Sequence, residues 1–372
     1  MRHTWVAMEE ERSPGAHREA DLVDVVCLAG TGQNGATLLS RMLGHLPGIV
    51  AVGELGRLWD TGLLENRPCS CGVAFRDCPF WSQVGNDAFG GWDHVDGHAV
   101  ARKREAVRLK RRIRPLPNAP VPELRKIGRA QLLPFLLFPR LWPEYRRNAG
   151  DYADDLHTLY RAIRDIAGRA VVLDSMKVPY HVFLLRDVPG IRLKVVHLVR
   201  DVRGVALSSL RSIPKQGAEG RYRGTRHPAK TGLRWSWVNL SSHLLRRMGT
   251  PVLTVRYEDV VRRPVEQLES IAKFAGLNLP AAGMSFIRGD EVDLPADHLV
   301  AGNRVRLESG AVRLRVDDEW RTKLSPRQQR LALLAARPLL RRYGYLGSGR
   351  SGGDSGMGDG TGSGSPSAII NP

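Results

Sequence analysis

Long hydrophobic runs, cysteines and acidic side chains are all scarce in this chain of 372 residues. The most apolar stretch, around residues 132–142, is too short and too often broken by proline to span a bilayer. Residues 1–21 lack the apolar core of a secretory signal. Four cysteines are too few for a disulfide framework and fit a reducing compartment. We therefore expect a cytoplasmic protein.

The shortage of acids leaves 56 Lys and Arg against 38 Asp and Glu, an excess of 18 positive charges. Such an excess predicts a polyanionic ligand, an anionic membrane surface or nucleic acid, without choosing among them. Residues 101–147 hold fourteen of the basic residues against three Glu. This segment is interpreted as a solvated basic helix with an apolar connector, or as a lid for an acidic or lipid-like ligand that also allows peripheral contact with the inner membrane face. Nucleic-acid binding is not expected, because no zinc-finger, RRM or helix-turn-helix pattern accompanies the charge.

Apolar runs typical of strands alternate with helical patterns along the chain. The strands are predicted at 23–28, 170–173, 193–199 and 252–255, and the helices at 36–46, 151–168, 202–212, 231–248 and 264–275. This alternation predicts an α/β fold with three layers, α/β/α, around a central, mostly parallel sheet. Ligands of such sheets bind beyond the carboxyl ends of the strands.

Composition also sets the expected boundaries of the domain. Residues 1–22 and the Gly- and Ser-rich residues 347–372 are predicted to be disordered, because they cannot bury a core. One domain is then expected over residues 23–346, with an insertion at about 57–165.

A glycine-rich loop, GTGQNG at residues 30–35, follows the first predicted strand. Apolar side chains then recur at helical spacing from Leu38 to Leu43. Strand, glycine turn and helix together point backbone N–H groups at an anion. A nucleoside-triphosphate loop would carry Lys where this chain has Ala36. The pattern therefore predicts a phosphate site that is not an ordinary ATP site.

Polar clusters also follow the other predicted strands. DSMKVP places Asp174 and Lys177 at a strand end, RDVRGVALSSLRS follows Val199, and RYEDVVRRP follows Val255. Each cluster alone is compatible with a helix cap or an exposed ion pair. Together, on one edge of a parallel sheet, they favour an anionic ligand.

The glycine loop and the segment LVRDVRGVALSSLRS together resemble the PAPS-dependent sulfotransferases of bacteria, in a pattern similar to the tyrosylprotein and carbohydrate branch. The resemblance implies a P-loop-like fold whose glycine loop holds the 5′-phosphosulfate of the donor. It also implies that Arg200 and Ser208 grip the 3′-phosphate, and two helical turns bring Ser208 back beside the Arg. AGNRVRLESG at residues 301–310 is similar to the family's C-terminal donor loop. The donor contacts implied are Gly32, Gln33, Asn34, Gly35, Ala36, Thr37, Arg200, Ser208, Tyr257, Asn303, Arg304 and Arg306.

The resemblance further implies sulfuryl transfer from 3′-phosphoadenosine 5′-phosphosulfate (PAPS) to a hydroxyl or amine, with adenosine 3′,5′-bisphosphate (PAP) as product and no metal requirement. Relatives place a cation in the glycine loop where this chain has Gln33, which donates hydrogen bonds but brings no charge. Lys177 matches the family's second catalytic Lys and is the expected source of positive charge at the bridging oxygen. Glu54 lies where relatives carry the general base, although such a residue also commonly caps a helix. His298 is the fallback base.

Three cysteines, Cys69, Cys71 and Cys78, lie within ten residues. They could bind zinc with an outside fourth ligand such as His94, but the paired C-x-x-C spacing of a zinc knuckle is missing. Buried or redox-labile thiols are the favoured interpretation, and no metal site is predicted.

The sequence thus predicts a PAPS-dependent sulfotransferase. The apolar and basic mixture at 57–165, on the acceptor side, indicates a large amphipathic or anionic acceptor such as a glycolipid, a saccharide or a natural product. One alternative is a non-catalytic nucleotide-binding scaffold, in which Gln33 marks lost chemistry. Another is a P-loop kinase, against which Ala36 counts.

Overall fold

The computed structural model describes residues 21–107, 143–211, 213–214, 222–223, 227–279, 281–316 and 318–346. Most of the residues predicted to be disordered, 1–20 and 347–372, lie outside this part, and so do residues 108–142 of the basic segment. No helix in the described ranges is long and apolar enough to cross a membrane.

A five-stranded sheet forms the centre of the fold. The strands in the described residues are β1 (Val23–Ala29), β2 (Ile49–Gly53), β3 (Val171–Asp174), β4 (Ile191–Val199), β5 (Ile213–Pro214), β6 (Tyr222–Arg223), β7 (Val252–Arg256), β8 (Ile287–Arg288), β9 (Glu291–Leu294) and β10 (Gly310–Arg313). The central sheet has the order β2-β3-β1-β4-β7, and each of its pairings is parallel. The predicted α/β fold is confirmed, and all four predicted strands are present. The sequence analysis missed β2, because a five-residue apolar run has no periodicity of its own.

Helices cover both faces of this sheet. They are α1 (Ala36–Gly44), α2 (Pro79–Phe89), α3 (Gly97–Ala106), α4 (Pro143–Ala167), α5 (Pro179–Arg186), α6 (Val202–Leu210), α7 (Pro228–Arg247), α8 (Tyr257–Arg262), α9 (Pro264–Ala275), α10 (Trp320–Lys323), α11 (Pro326–Leu333) and α12 (Arg337–Arg342). Four of the five helices predicted from the sequence, α1, α6, α7 and α9, are found within three residues of their expected bounds. The fifth, predicted at 151–168, begins eight residues earlier, at Pro143.

Strand β1 shows how the layers arise. Val25 and Cys27 pack into a cluster with side chains of α2, α4 and α5, whereas Val26 and Leu28 pack into a second cluster with α1 and α9. Successive side chains of a strand point to opposite faces, so an unbroken apolar run is buried on both sides. The alternating burial produces the three-layer arrangement.

A third apolar cluster lies beside β4 and joins α6, α7 and the C-terminal helices α10–α12 around Trp235 and Trp320. Helices α7 and α11 approach each other closely at Gly232. A Cβ atom added at Gly232 would lie 2.4 Å from the backbone oxygen of Ala332.

We expect Gly232→Ala to lower the free energy of unfolding by about 1–3 kcal/mol, because the added methyl group must push α11 away from α7. Gly150→Ala is the matched control: Gly150 is also in a helix, α4, and no atom lies within 4 Å of its added Cβ. The control is expected to be neutral or to stabilise the protein by about 0.5–1 kcal/mol. Denaturant unfolding of both variants tests this, and equal effects would contradict the packing described.

Candidate active site

The carboxyl ends of the parallel strands open onto one cavity of about 730 Å³, a volume typical of small-molecule sites. The strand ends meet at this edge because Ala29 pairs with His197 and Cys27 with Asp174. The lining residues include Gly32, Gln33, Asn34, Gly35, Ala36, Thr37, Glu54, Lys177, Arg200, Ser208, Tyr257 and Asn303. The structure thus brings together twelve of the residues that the sequence analysis singled out; their roles in binding and catalysis remain predictions.

The glycine loop after β1 is held in shape by Asn34. Its Nδ2 donates to the carbonyl of Leu198 on β4 at 2.9 Å, and its Oδ1 accepts the backbone N–H at the start of α1 at 3.2 Å. Gln33 and Gly35 have positive φ angles of 72° and 90°. A Cβ at Gly35 would lie 2.3 Å from the ring of Tyr257, so only glycine fits there.

Helix α1 begins directly behind this loop, and its N-cap residue, Gly35, offers no capping side chain. Ala36 and Thr37 line the cavity, so the positive end of the helix dipole lies at its wall. The hydroxyl of Thr37 lies 3.5 Å from the backbone nitrogen of Asn303. This arrangement can hold an anion without a Lys in the loop.

Arg200 follows β4 and brings a buried positive charge to the cavity, with a relative exposure of 7%. Its Nη1 donates to the carbonyl of Gln33 at 2.6 Å, and its guanidinium lies 5.0 Å from the ring centre of Tyr257. Trp235 Nε1 donates to the carbonyl of Arg200 at 2.9 Å. Because these contacts fix both its backbone and its side chain, Arg200 presents its charge at a defined place beside the loop.

Ser208 reaches the same cavity from α6. The helix is capped by Asp201, whose carboxylate accepts the N–H of Arg203 at 2.8 Å and pairs with the Arg203 guanidinium at 2.6 Å. The cap fixes where α6 begins. Ser208 lies on the second turn from that point, on the wall that Arg200 also lines.

Glu54 and Lys177 form an ion pair at the cavity wall, with 2.8 Å between Oε1 and Nζ. Arg57 Nη1 lies 3.4 Å from the other carboxylate oxygen. Burial alone would raise the pKa of Glu54, but the charges and hydrogen bonds of Lys177 and Arg57 outweigh it and lower the pKa. Glu54 is therefore ionised at neutral pH and able to accept a proton.

Asp174 holds the two turns that carry this pair. Its buried carboxylate accepts the N–H of Leu55 at 3.2 Å and that of Met176 at 2.8 Å, next to Glu54 and Lys177 in the chain. The hydroxyl of Tyr160 donates to the same carboxylate at 2.6 Å. Burial, followed by the charge of Asp174, raises the pKa of Tyr160, so this hydroxyl stays a donor.

The segment after β9 closes the cavity beside α1. The backbone N–H of Glu54 donates to the carbonyl of Ala301 at 3.1 Å, which ties the segment to the end of β2. Arg41 on α1 anchors it from below, through an ion pair with Asp297 at 3.0 Å and hydrogen bonds to the carbonyls of residues 294, 295, 305 and 308. These contacts position Asn303 at the cavity.

Two other predicted site residues, Arg306 and His298, are not among the described lining residues of the cavity. Arg306 is buried, and its guanidinium donates to the carbonyls of Leu299 and Pro68 at 3.3 and 2.9 Å, so it ties chain segments together instead of facing the cavity. His298 directs Nδ1 at cysteine sulfurs. The side chain of Arg304 lies outside the described part of the structure.

Several lining residues were not anticipated from the sequence: Ser209, Arg211, Thr231, Arg234 and Trp235. Three of them come from α7, which the sequence marks as a helix without any functional pattern. Their place at the cavity follows from the packing of α7 against α6, which no local motif predicts.

The family comparison bears on the middle of the chain. Residues 141–281 match the model of the sulfotransferase family. This match covers less than half of the chain. The matched segment contains Lys177, Arg200, Ser208 and Tyr257, and the resemblance found in the sequence is confirmed.

Three solved structures are similar to this chain. The sulfotransferase domain of an olefin synthase from Synechococcus PCC 7002 is 19% identical, with a TM-score of 0.45 over 88% of this chain and 97% of that one. The sulfotransferase domain from the curacin biosynthetic pathway is 16% identical, with a TM-score of 0.41 over 84% and 96%. The mouse sulfotransferase SULT7A1, complexed with PAP, is 15% identical, with a TM-score of 0.30 over 49% and 75%. No curated protein matches the chain. At these TM-scores the structures carry no argument about activity.

The lowered pKa of Glu54 predicts how the stability of the protein depends on pH. We expect Glu54→Gln to reduce the free energy of unfolding at neutral pH by roughly 1.5–3 kcal/mol, because a charge-assisted hydrogen bond to Lys177 is lost. The folded-state pKa lies below the ordinary value of 4.5. The difference from the wild type is therefore complete above that value and fades as the pH falls through the folded-state pKa.

Denaturant unfolding at a series of pH values measures this difference. Glu266→Gln is the control, since the ion pair of Glu266 with Arg263 is exposed to solvent. Loss of that pair is expected to lower the free energy of unfolding by at most about 1 kcal/mol. A Glu54→Gln difference that stays constant into strong acid would show that the ion pair does not stabilise the fold.

Proposed function

We propose that this protein transfers the sulfuryl group of PAPS to a hydroxyl or amine of an acceptor. The observation that carries the proposal is the convergence of three features on one cavity: an anion-binding glycine loop, the buried Arg200 with Ser208, and the Glu54–Lys177 pair. They lie in a chain with a sulfotransferase-family segment. The choice of PAPS as donor is our inference from that family and from the two separate anion sites.

The donor would bind through its two phosphate ends. The 5′-phosphosulfate would lie on the glycine loop, where backbone N–H groups and Thr37 line the cavity. The 3′-phosphate would meet Arg200 and Ser208, which reach the cavity from β4 and α6. The 3′-phosphate would thus be held by the cation of Arg200 and the 5′-phosphosulfate by the N-terminus of α1, so no Lys is needed in the loop.

The transfer step needs charge at the oxygen that bridges phosphorus and sulfur. The acceptor oxygen or nitrogen forms a bond to sulfur, the bond from sulfur to the bridging oxygen breaks, and PAP leaves with the electron pair. Lys177 would stabilise the charge that grows on that oxygen, and Gln33 would add an uncharged hydrogen bond. The acceptor proton would pass to Glu54, whose lowered pKa keeps it unprotonated.

We propose one domain over residues 23–346 that contains an insertion at about 57–165. The acceptor would enter the cavity from the side of this insertion. Arg57 lines the cavity on this side with an exposure of 41%. Together with the basic and apolar composition of residues 57–165, this favours an amphipathic or anionic acceptor, such as a glycolipid, a saccharide or a natural product.

We expect Arg200→Ala to weaken PAP binding about 10- to 100-fold, the equivalent of losing one charge-assisted contact to a phosphate. Calorimetric titration measures this. Arg192→Ala is the matched control, since Arg192 pairs with Asp24 at 2.6 Å near the amino-terminal ends of β4 and β1 and is not among the lining residues of the cavity. Equal affinities of the two variants for PAP would show that the donor does not bind at Arg200.

We expect Lys177→Ala to lower kcat by roughly 10²–10³-fold while PAP affinity changes only a few-fold, because the charge acts in the transition state. Turnover is measured as the PAP released from PAPS when a panel of phenols and amphipathic alcohols is supplied as acceptors. The released PAP is quantified by chromatography. Lys194→Ala is the control, since Lys194 donates to the carbonyl of Ala275 away from the cavity. A wild type that binds PAP but never turns over PAPS with any acceptor would favour the non-catalytic scaffold.

A further inference from the structure

A second group of reactive side chains lies apart from the lining of the cavity: Cys69, Cys71, Cys78 and His298. Their three sulfur atoms and one imidazole nitrogen all lie within 4.8 Å of one another. Cys78 Sγ is 3.3 Å and Cys69 Sγ is 3.7 Å from His298 Nδ1, and the sulfurs of Cys71 and Cys78 are 3.7 Å apart. All three cysteines are free thiols.

We propose that these four side chains bind one zinc ion in a closed, structural site. A tetrahedral zinc ion with Zn–S bonds of about 2.3 Å and a Zn–N bond of about 2.0 Å requires S···S distances of about 3.8 Å and S···N distances of about 3.5 Å. The S···S distance of 3.7 Å between Cys71 and Cys78 and the S···N distances of 3.3 and 3.7 Å to His298 are close to these values, and the other pairs lie within 4.8 Å. Three thiolates and an imidazole are ligands that select zinc over magnesium or calcium.

The local fold explains how cysteines without C-x-x-C spacing come together. The backbone N–H of Cys69 donates to the carbonyl of Val73 at 2.8 Å, and Gly72 takes a φ of 90° in the tight turn between them. The N–H of Cys78 then donates to the carbonyl of Ala74 at 2.9 Å, just before α2. This double turn directs three sulfurs to one point.

His298 comes from a distance of 220 residues along the chain. Its ring stacks on Phe80, with 5.0 Å between ring centres and 16° between planes, and its carbonyl accepts the indole N–H of Trp81 at 3.0 Å. These contacts on α2 keep Nδ1 directed at the sulfurs. His94, the outside ligand considered from the sequence, instead has Nδ1 2.9 Å from the carbonyl of Gly90 and is not part of the group.

The surroundings also suit the charge of such a site. Zinc with three thiolates and a neutral imidazole carries one net negative charge. Arg306 is buried with 3% exposure and donates to the carbonyls of Pro68 and Leu299, the neighbours of Cys69 and His298 in the chain. The guanidinium would balance the charge of the metal complex, which explains why an Arg is buried at this place.

The ion would fasten the turn at residues 68–78 to the segment that closes the cavity. Ser70 already exchanges hydrogen bonds with Leu299 in both directions, and the next residue, Val300, donates to the carbonyl of Val52 on β2 at 3.0 Å. Asn303, at the cavity, follows three residues later. Loss of zinc is therefore expected to destabilise the fold and to loosen the wall beside Glu54.

Metal analysis of the full-length wild type is the first test, and it does not depend on the proposed activity. Protein expressed with zinc in the medium and purified under reducing conditions is expected to contain one zinc per chain by plasma mass spectrometry. Replacement by Co²⁺ should give the sulfur-to-cobalt charge-transfer band and intense visible bands of a tetrahedral thiolate site. A wild type without stoichiometric metal, iron in place of zinc, or a disulfide among the three cysteines would each overturn the proposal.

Two matched pairs of variants then locate the ligands. Loss of a residue that only hydrogen-bonds to a zinc ligand lowers zinc affinity roughly 10- to 100-fold. Cys78→Ser and His298→Ala remove a ligand itself, so we expect a larger loss of zinc affinity from each. Cys27→Ala and His94→Ala should keep one zinc per chain, since both residues lie outside the group. Zinc retained by both Cys78→Ser and His298→Ala would place the ion elsewhere and refute the assignment, whereas failure of PAP binding with zinc intact would refute only the proposed function.

Discussion

The candidate active site depends on the hydrogen bonds that the buried carboxylate of Asp174 accepts. A charge in a sheet core is tolerated only when it is fully hydrogen-bonded, and Asp174 accepts bonds from two backbone N–H groups and from the hydroxyl of Tyr160, with His181 Nε2 a further 2.8 Å away. The two backbone groups belong to the residues next to Glu54 and Lys177. The ion pair in the cavity therefore takes its position from a carboxylate behind it.

The side of the cavity that we propose for the donor is built on the same principle. Asn34 fastens the glycine loop to β4, and Arg200 at the end of β4 reaches back to the carbonyl of Gln33. Loop and cation thus fix each other across neighbouring strands. The missing charge at Gln33 matters less in such a site, because Arg200 and Lys177 approach the cavity from other strand ends.

The sequence predicted the parts of this architecture that depend on residues close together in the chain. Alternating apolar runs predicted the parallel sheet, and polar clusters after the strands predicted which side chains meet at its edge. It could not predict that Arg306 faces away from the cavity, because a residue type near a loop does not fix its direction. Nor could the spacing of three cysteines reveal His298, since the turn at 68–78 and the segment before Asn303 meet only in the folded chain.

We propose that the cavity recognises a nucleotide with separate 3′ and 5′ anionic groups, and the affinities of the wild type for three nucleotides test this proposal. Calorimetric titrations with PAP, 5′-AMP and Mg·ATP, the first two without added divalent cation, compare the three ligands on the same protein. PAP is expected to bind about 10- to 100-fold more tightly than 5′-AMP, because the 3′-phosphate adds charge-assisted contacts to Arg200 and Ser208. Equal affinity for PAP and 5′-AMP, or a preference for Mg·ATP, would contradict it.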